Sequence, residues 1–204
     1  MRTRDKILKE ALKQFNGLGV EKTTTRHIAS ALGMSQGNLH YHFANKDLLI
    51  KELFDNFIQK ITEVRKYEYQ VLFKKEDVLA SMDLSFSVMY KYRFLFRDNE
   101  TVWRRLSSIK KAMLELLAGR KVEIKQIISH YVKQNIFRPD ISDSQQEYLA
   151  DQFVFNITSW LNASEYLGVT KQKSNYFAKF TFRQWLPYLV SEEMKNWEEL
   201  LGEK

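Results

Sequence analysis

The chain has 204 residues, a hydrophobic fraction of 44%, only 7 glycines and 2 prolines, and a formal net charge of +7. This length suits one domain or a small domain joined to a larger one, and the scarcity of helix-breaking residues favours an all-α fold. Cysteine is absent, which excludes disulfide bonds and cysteine-ligated zinc, and we expect a cytoplasmic protein without a signal peptide or membrane span.

The excess positive charge is concentrated at the N-terminal end. Residues 1–51 contain nine Lys or Arg and four Asp or Glu side chains, which is a net charge of +5. Such a concentration suits a polyanionic partner such as nucleic acid. Charge alone leaves a second interpretation open, in which the basic face is simply solvated.

Three short or medium helices and one long helix are predicted first in chain order. Apolar residues at helical spacing predict a first helix over Thr3–Leu18, and the glycines after it favour a stop. A second helix is predicted over Thr25–Leu32, with a threonine as N-cap and Gly33 as its end. A third runs from Ser35 or Gln36 to about Tyr41, and a long fourth helix begins near Lys46 and reaches the late sixties.

The remaining chain predicts a larger helical body. Periodic apolar residues indicate helices over Val78–Phe96, Val102–Phe137, Glu147–Leu167, Asn175–Val190 and Glu192–Leu201. Pro139 lies in a predicted loop, and Pro187 should kink or end its helix. We therefore predict a small basic N-terminal domain at residues 1–47 and a larger helical domain at residues 48–204.

The second and third helices have the pattern of a helix-turn-helix. Ala29 is small where two helices must approach, Gly33 can adopt a positive φ at the turn, and Leu39 anchors the third helix inward. The outer face of the third helix then carries Gln36, Gly37, His40 and Tyr41. These polar and aromatic side chains suit contacts with phosphates and base edges, so the pattern predicts binding in a DNA major groove.

The segment "ILKEALKQFNGLGVEKTTTRHIASALGMSQGNLHYHFANKDLLIKEL" resembles the DNA-binding domain of the TetR (tetracycline-repressor) family of bacterial transcription regulators. The resemblance implies that Thr25 and Arg26 meet the DNA backbone, that the third helix enters the groove, and that His42 and Lys46 hold phosphates. The predicted DNA-binding residues are Thr25, Arg26, Ser35, Gln36, Gly37, Asn38, His40, Tyr41, His42 and Lys46. His40 stands where the family usually has tyrosine.

The resemblance also implies that the helical body binds a small-molecule inducer. Aromatic and methionine side chains suit an adaptable apolar pocket, so we expect an apolar or aromatic ligand. The candidate ligand-binding residues are Phe86, Met89, Tyr90, Trp103, Met113 and Phe153. An ordinary hydrophobic core is the alternative for these side chains.

The resemblance further implies a homodimer. The two late helices carry more apolar surface than one body needs, and pairing about a two-fold axis would bury it. The candidate dimerisation residues are Leu149, Phe153, Ile157, Trp160, Leu161, Phe177 and Phe180. Intramolecular core packing is again the alternative.

The favoured function is a dimeric repressor that a small molecule releases from a double-stranded DNA operator. A helical enzyme using His27, His130 or a tyrosine as general base is an alternative, but no catalytic constellation accompanies these residues. A basic membrane-surface or scaffold protein is another. His40 and His42 do not face each other on a helix, and we predict neither a metal site nor a cofactor.

Overall fold

The computed structural model describes residues 2–71, 75–166 and 174–202. These residues form helices joined by short loops, which confirms the all-α prediction. The helices are α1 Thr3–Leu18, α2 Thr25–Ala31, α3 Gln36–His42, α4 Lys46–Val71, α5 Lys75–Lys91, α6 Phe94–Arg97, α7 Asn99–Arg105, α8 Ser107–Lys133, α9 Asp143–Tyr166, α10 Ser174–Arg183 and α11 Ser191–Leu201. A 3-10 turn at Leu186–Tyr188 contains Pro187 and follows the end of α10, as the proline predicted. The predicted helix end at Leu167 lies outside the described residues.

Two predicted helices are interrupted in the structure. The helix predicted over Val78–Phe96 ends at Lys91, and a separate short helix, α6, follows. The side chain of Asn16 donates to the carbonyl oxygen of Lys91 at 2.8 Å and accepts from the backbone N–H of Phe94 at 3.1 Å. These bonds satisfy backbone groups that the interruption would otherwise leave open. A second interruption, at Leu106, separates α7 from α8 within the helix that we predicted to start at Val102.

The chain divides into two compact units that each combine separate stretches of sequence. Unit 1 contains Met1–Thr62 and Val88–Met113, and unit 2 contains Glu63–Ser87 and Leu114–Lys204. This division differs from the domain boundary that we predicted between residues 47 and 48. The physical reason is that the first half of α4 and the residues from 88 to 113 pack with the first three helices.

Aromatic rings hold unit 1 together across these distant stretches. The ring centroids of Phe15 and Phe94 lie 5.3 Å apart. Phe57 contacts Tyr92 and Phe96 edge-on, at centroid distances of 5.9 and 5.7 Å. Edge-to-face pairs of this kind stabilise a core by about 0.5–1.5 kcal/mol beyond the area they bury. The ends of α1 and the middle of α4 are thereby fixed to the segment that contains α6.

Two charged side chains add polar contacts to the same unit. The carboxylate of Asp98 accepts a hydrogen bond of 2.9 Å from the backbone N–H of Val20, in the turn between α1 and α2. Arg105, at the end of α7, pairs with Asp47 in the first turn of α4 at 2.7 Å. The partly buried bond to Asp98 contributes about 1.5–3 kcal/mol, whereas the solvent-screened Arg105–Asp47 pair contributes about 0–1 kcal/mol, so residues far along the chain stabilise mainly the turn.

Gly19 ends α1 in a backbone conformation that suits glycine alone. Its φ is 87° and its ψ is 159°, and its N–H donates to the carbonyl oxygen of Phe15 at 3.2 Å. A Cβ atom at this position would lie 3.4 Å from Oδ2 of Asp98. Side chains other than hydrogen are strained in this region of φ and ψ. Gly19 therefore allows the sharp exit from α1 that brings Val20 to Asp98.

Unit 2 has an aromatic core centred on Trp185. Its ring lies 5.8 Å from Phe137, 5.9 Å from Phe153 and 5.2 Å from Phe182, measured between centroids. Phe182 also stacks on Trp197 of α11 at 4.6 Å. The core thus joins α9, α10, α11 and the loop after α8.

A network of ion pairs fastens α8 to α9 at the surface of unit 2. Lys121 lies 2.7 Å from both Glu147 and Asp151, and Lys125 lies 2.8 Å from Glu147 and 3.2 Å from Asp143. The hydrogen bonds from Lys121 and Lys125 lower the pKa of the Glu147 carboxyl from 4.5 to about 2. The same contacts raise the pKa of both lysines.

We expect Gly19→Ala to destabilise the protein by about 1–3 kcal/mol, because alanine is strained at this φ and ψ. The matched control is Gly17→Ala, inside α1, where an added Cβ meets no atom within 4 Å. That change should be neutral or stabilise by about 0.5–1 kcal/mol. Urea denaturation of both variants is the measurement, and equal effects of the two changes would contradict the assignment.

We expect the ion pairs of Glu147 to make the stability of the protein depend on pH in the acid range. Its folded-state pKa of about 2 lies below the ordinary 4.5, so its contribution is present above pH 4.5 and is lost as the pH falls toward about 2. Glu147→Gln should reduce the change of melting temperature with pH between 4.5 and about 2, and high salt should reduce that change as well. The control is Glu115→Gln on α8, since Glu115 is exposed and has no ion pair among the residues that the structure describes. If the Glu147 variant kept the wild-type acid dependence, the network would not be formed in solution.

Candidate nucleic-acid interface

The turn between α2 and α3 is built by local hydrogen bonds. The Thr24 hydroxyl accepts from the backbone N–H of His27 at 3.1 Å, which caps α2. The Ser35 hydroxyl accepts from the backbone N–H of Asn38 at 3.2 Å, which caps α3. Gly33 lies between them with a φ of 64°. Each cap contributes about 1 kcal/mol, so the sequence itself fixes where both helices start.

Burial on one side of α2 and α3 decides which side faces outward. Ile28, Ala29 and Leu39 are buried, as predicted, and they anchor the two helices to unit 1. The exposed residues of α3 are Gln36, Gly37, Asn38, His40 and Tyr41. Tyr41 is 86% exposed, and a Cβ added to Gly37 would meet no atom within 4 Å. The protomer therefore gives no packing reason for this glycine or this tyrosine, and both are available to a partner.

His40 and Tyr41 each contact one neighbouring polar side chain. The imidazole Nε2 of His40 lies 3.4 Å from the hydroxyl of Thr25, so the two helices meet at this pair of predicted DNA-binding residues. The ring of Tyr41 meets His42 edge-on, with centroids 5.3 Å apart. Arg26, on the same end of α2, is exposed. The structure thus brings together most of the predicted DNA-binding set on one surface.

Lys46 belongs to the predicted DNA-binding set, but its ammonium makes its hydrogen bonds inside the protomer. Its ammonium donates to the carbonyl oxygens of Val20 at 2.8 Å, Thr23 at 3.0 Å and Glu21 at 3.5 Å. An ammonium has three donors, and all three are directed at the turn between α1 and α2. Burial, followed by the charge of Arg105, lowers the pKa of Lys46. The structure therefore gives Lys46 an intramolecular contact that competes with the predicted phosphate contact.

Arg4 has a contact that sequence reasoning did not find. Its guanidinium pairs with the carboxylate of Glu52 on α4 and lies 4.7 Å from the ring centroid of Phe43. The Glu52 contact raises the pKa of Arg4. The pair joins residues 48 positions apart, and no local pattern in the sequence indicates it. Arg4 therefore ties α1 to α4 in unit 1.

The predicted ligand-binding residues are divided between the two units. Met89, Tyr90, Trp103 and Met113 belong to unit 1, whereas Phe86 and Phe153 belong to unit 2. Phe153 lies in the core beside Trp185, with the guanidinium of Arg120 5.2 Å from its ring centroid. Phe86 instead contacts Trp160 and Phe177, two residues that we had assigned to dimerisation.

Most of the predicted dimerisation residues are buried within the protomer. They are Leu149, Phe153, Ile157, Trp160, Leu161 and Phe177, and Phe180 is the exposed member of the set. The exposed apolar surface of α9 is instead formed by Tyr148 and Phe155. Residues buried in one chain have little surface to give to a partner. The prediction that α9 and α10 form the dimer contact now depends on Tyr148, Phe155 and Phe180.

Two other kinds of site are absent from the described part of the chain. Across residues 2–71, 75–166 and 174–202, no helix has the length and apolar character needed to cross a membrane. Within the same ranges, no three His, Cys, Asp or Glu side chains are grouped so that they could hold a metal ion.

The capped α2–turn–α3 unit, with its exposed polar face, defines a helix-turn-helix protein. Residues 7–53 match the profile described as "Bacterial regulatory proteins, tetR family", and residues 54–196 match the one described as "Bacterial transcriptional repressor". The chain belongs to the TetR family of bacterial transcriptional regulators. It is therefore a ligand-responsive DNA-binding transcriptional regulator.

Related proteins match either most of the chain or a short part of it. The HTH-type transcriptional regulator AcrR of Shigella flexneri is 22% identical over 187 residues, which cover 86% of each chain. The probable acrEF/envCD operon repressor of Escherichia coli K12 is 37% identical over 54 residues, which cover 26% of this chain and 24% of that protein. Sequence similarity is thus higher where the match is confined to a short region.

Solved structures share the architecture over most or nearly all of the chain. A TetR-family regulator from Marinobacter aquaeolei VT8 is 25% identical, with a TM-score of 0.85, and the match covers 99% of this chain and 98% of that one. The TetR-family regulator PfmR of Thermus thermophilus is 21% identical, with a TM-score of 0.64 and a coverage of 87% and 92%. The second likeness supports the fold alone.

We expect Lys46→Met to lower stability by about 1–3 kcal/mol and to weaken DNA binding, because three carbonyl groups lose their donor. The slope of affinity against salt should not change, since the ammonium is committed inside the protomer. Arg26→Ala is the comparison, and it should reduce that slope by about one phosphate contact per subunit. The measurements are thermal denaturation and fluorescence anisotropy with DNA at several salt concentrations. A Lys46 variant of normal stability with a reduced slope would show a direct phosphate contact instead.

Proposed function

We propose that the protein is a dimeric repressor that binds an operator through α2 and α3 and is released by a small molecule. The observation that carries the proposal is the outward face of α3, where Tyr41 is 86% exposed and a Cβ added to Gly37 would meet no atom within 4 Å. An α-helix fits the major groove of B-DNA, and short polar helices of this kind read base edges there. We propose that the protein acts in the bacterial cytoplasm, where operator DNA lies.

The roles of individual residues follow from their positions. Gln36 and Asn38 lie in the first turn of α3, from which amide side chains can pair with adenine, and Tyr41 lies one turn further on. The exposed guanidinium of Arg26 and the caps at Thr24 and Ser35 lie beside this helix and suit the phosphates. Base contacts would supply specificity, and phosphate contacts would supply most of the affinity.

Dimerisation is supported by the exposed aromatic residues of α9 and α10. Tyr148 and Phe155 are 61% and 66% exposed, and their seven-residue spacing places them on one side of α9. Phe180 is also exposed and stacks on Tyr176 at 6.3 Å. Exposed aromatic side chains of this kind occur at interaction sites, and we propose that a second copy of the chain related by a two-fold axis covers them. Two such protomers would present two copies of α3 to one operator.

Ligand response is supported in unit 2 by the contact of Phe86 with Trp160 and Phe177. The three rings are buried, so a ligand would contact them only after the helices that carry them move apart. We propose that the inducer contains an apolar or aromatic group that contacts these rings.

The experiment compares Tyr41→Ala with the wild type and with Tyr67→Ala. Tyr67 is also an exposed tyrosine, but it lies far along α4, so its replacement matches the chemical change without touching α3. Genomic fragments recovered by the wild-type protein supply the operator, and fluorescence anisotropy gives its affinity. Sedimentation of the complex gives the number of chains per operator.

We expect two chains per operator, an affinity that falls steeply with salt, and a loss of at least about tenfold for Tyr41→Ala alone. Thermal denaturation should show that Tyr41→Ala keeps its stability, because Tyr41 is 86% exposed, and that Tyr67→Ala, at a 45% exposed side chain, loses no more than about 1 kcal/mol. Equal affinities for the two variants would remove Tyr41 from the interface. Binding to anionic vesicles without binding to DNA would favour the membrane-surface alternative.

A further inference from the structure

Charge is divided unevenly between the two compact units. Unit 1 contains seventeen Lys or Arg and eight Asp or Glu side chains, which is a net charge of +9. Unit 2 contains fifteen and seventeen, which is −2. Within unit 1, residues 88–113 contain seven Lys or Arg and two Asp or Glu, which is +5. A stretch that is distant in sequence from α2 and α3 therefore supplies more than half of the positive charge of the unit that carries them.

Two arginines of this stretch are the last two residues of α7. Arg104 and Arg105 are both exposed. Arg104 forms no ion pair with any residue in the part of the chain that the structure describes. Arg105 contacts Asp47, in the first turn of α4, with Nε and Nη2 at 2.8 and 2.7 Å from the same carboxylate oxygen. The end of α7 thus places two guanidinium groups at the start of α4.

The contact with Asp47 uses only one edge of the Arg105 guanidinium. A guanidinium has five N–H donors in a flat fork, and the edge formed by Nε and Nη2 faces Asp47. Nη1 forms no hydrogen bond with any residue that the structure describes. The edge formed by Nη1 and the second N–H of Nη2 has the geometry that binds two oxygens of one phosphate. Asp47 therefore orients Arg105 and leaves its phosphate-binding edge available.

The start of α4 lies close to the end of the predicted recognition helix. Only three residues separate α3 from α4, so the Cα atoms of His42 and Asp47 are at most about 18 Å apart. The major groove of B-DNA is about 12 Å wide and is bordered by a phosphate backbone on each side. Lys46 directs its ammonium at the turn between α1 and α2. Arg104 and Arg105 are thus the cations at this place that can face outward.

We propose that Arg104 and Arg105 bind phosphates of the operator backbone beside the groove that α3 enters. This inference rests on the proposed function and deepens it, because it adds DNA contacts from residues outside the helix-turn-helix. Asp47 is a positioning residue, since it acts through Arg105. Phosphate contacts carry no base information, so the two arginines raise affinity for all sequences alike.

The first experiment compares Arg104→Gln and Arg105→Gln with Lys60→Gln. Lys60 is exposed and also belongs to unit 1, but it lies fourteen residues after Lys46, which is about 21 Å along α4. All three changes remove one positive charge. We expect each arginine variant to weaken operator binding about three- to tenfold and to reduce the salt slope by about one phosphate contact per subunit. Lys60→Gln should leave the slope unchanged, and equal slopes for all three variants would overturn the proposal.

The second experiment tests direct contact. Operator duplexes in which an uncharged methylphosphonate replaces one phosphate at a time are titrated with the wild type and with both arginine variants. We expect a phosphate in each half-site whose replacement weakens the wild type but does not weaken the variant that lacks its arginine. Arg105→Lys keeps the charge without the fork, so it should keep most of the salt slope and lose part of the affinity. If every replacement weakens the wild type and both variants by the same factor, neither arginine touches the backbone and the proposal is wrong.

Failure of this proposal is distinguishable from failure of the proposed function. Because both arginines are exposed, the variants should melt close to the temperature of the wild type. If the wild type and both arginine variants bind the operator with the same affinity and slope, the regulator stands and the arginine contacts are wrong. If the wild type binds no DNA at low salt, the proposed function is wrong and the arginine contacts fall with it.

Discussion

The turn between α1 and α2 is held by two opposite charges that act on opposite backbone groups. The Lys46 ammonium donates hydrogen bonds to carbonyl oxygens of the turn, and the Asp98 carboxylate accepts one from the N–H of Val20. Since Lys46 begins α4 and Asp98 follows α6, one short turn joins three elements of unit 1. The helices that present the candidate DNA surface leave directly from this turn, so their orientation depends on both charges. Gly19 allows this arrangement because its positive φ would be strained for a residue with a side chain.

The helix-turn-helix could be predicted because the interactions that define it are local. The hydroxyls of Thr24 and Ser35 each accept a hydrogen bond from a backbone N–H three residues later, and Gly33 adopts a positive φ in the turn between the two helices. Such bonds depend on residue type and spacing, both of which are visible in sequence. The buried position of Leu39 then determines the outward face of α3. Residues such as Gln36 and Tyr41 were predicted by this reasoning together with the family resemblance, and their DNA contacts stay a prediction.

Other features could not be predicted because they depend on contacts between distant residues. Asn16 and Asp98 meet groups 75 to 78 positions away, and nothing in their local sequence distinguishes them from surface residues. The interrupted helix at Lys91 follows from one such contact. Apolar periodicity has a related limit, since a buried stripe looks the same whether it packs inside one chain or between two. We therefore assigned Phe153 to ligand binding and dimerisation and Trp160 to dimerisation, whereas the structure buries both side chains within unit 2.

Helices α4, α5 and α8 each have residues in both units, and this matters when parts of the chain are exchanged with those of another protein. A recombination event that exchanged only residues 1–62 would separate Phe15 from Phe94 and Val20 from Asp98. The transplanted segment would keep α3 and lose the aromatic and polar neighbours that stabilise unit 1. The packing of the first three helices therefore does not come from residues 1–62 alone. It depends also on the residues from 88 to 113, so an exchange that preserves this packing has to include both stretches.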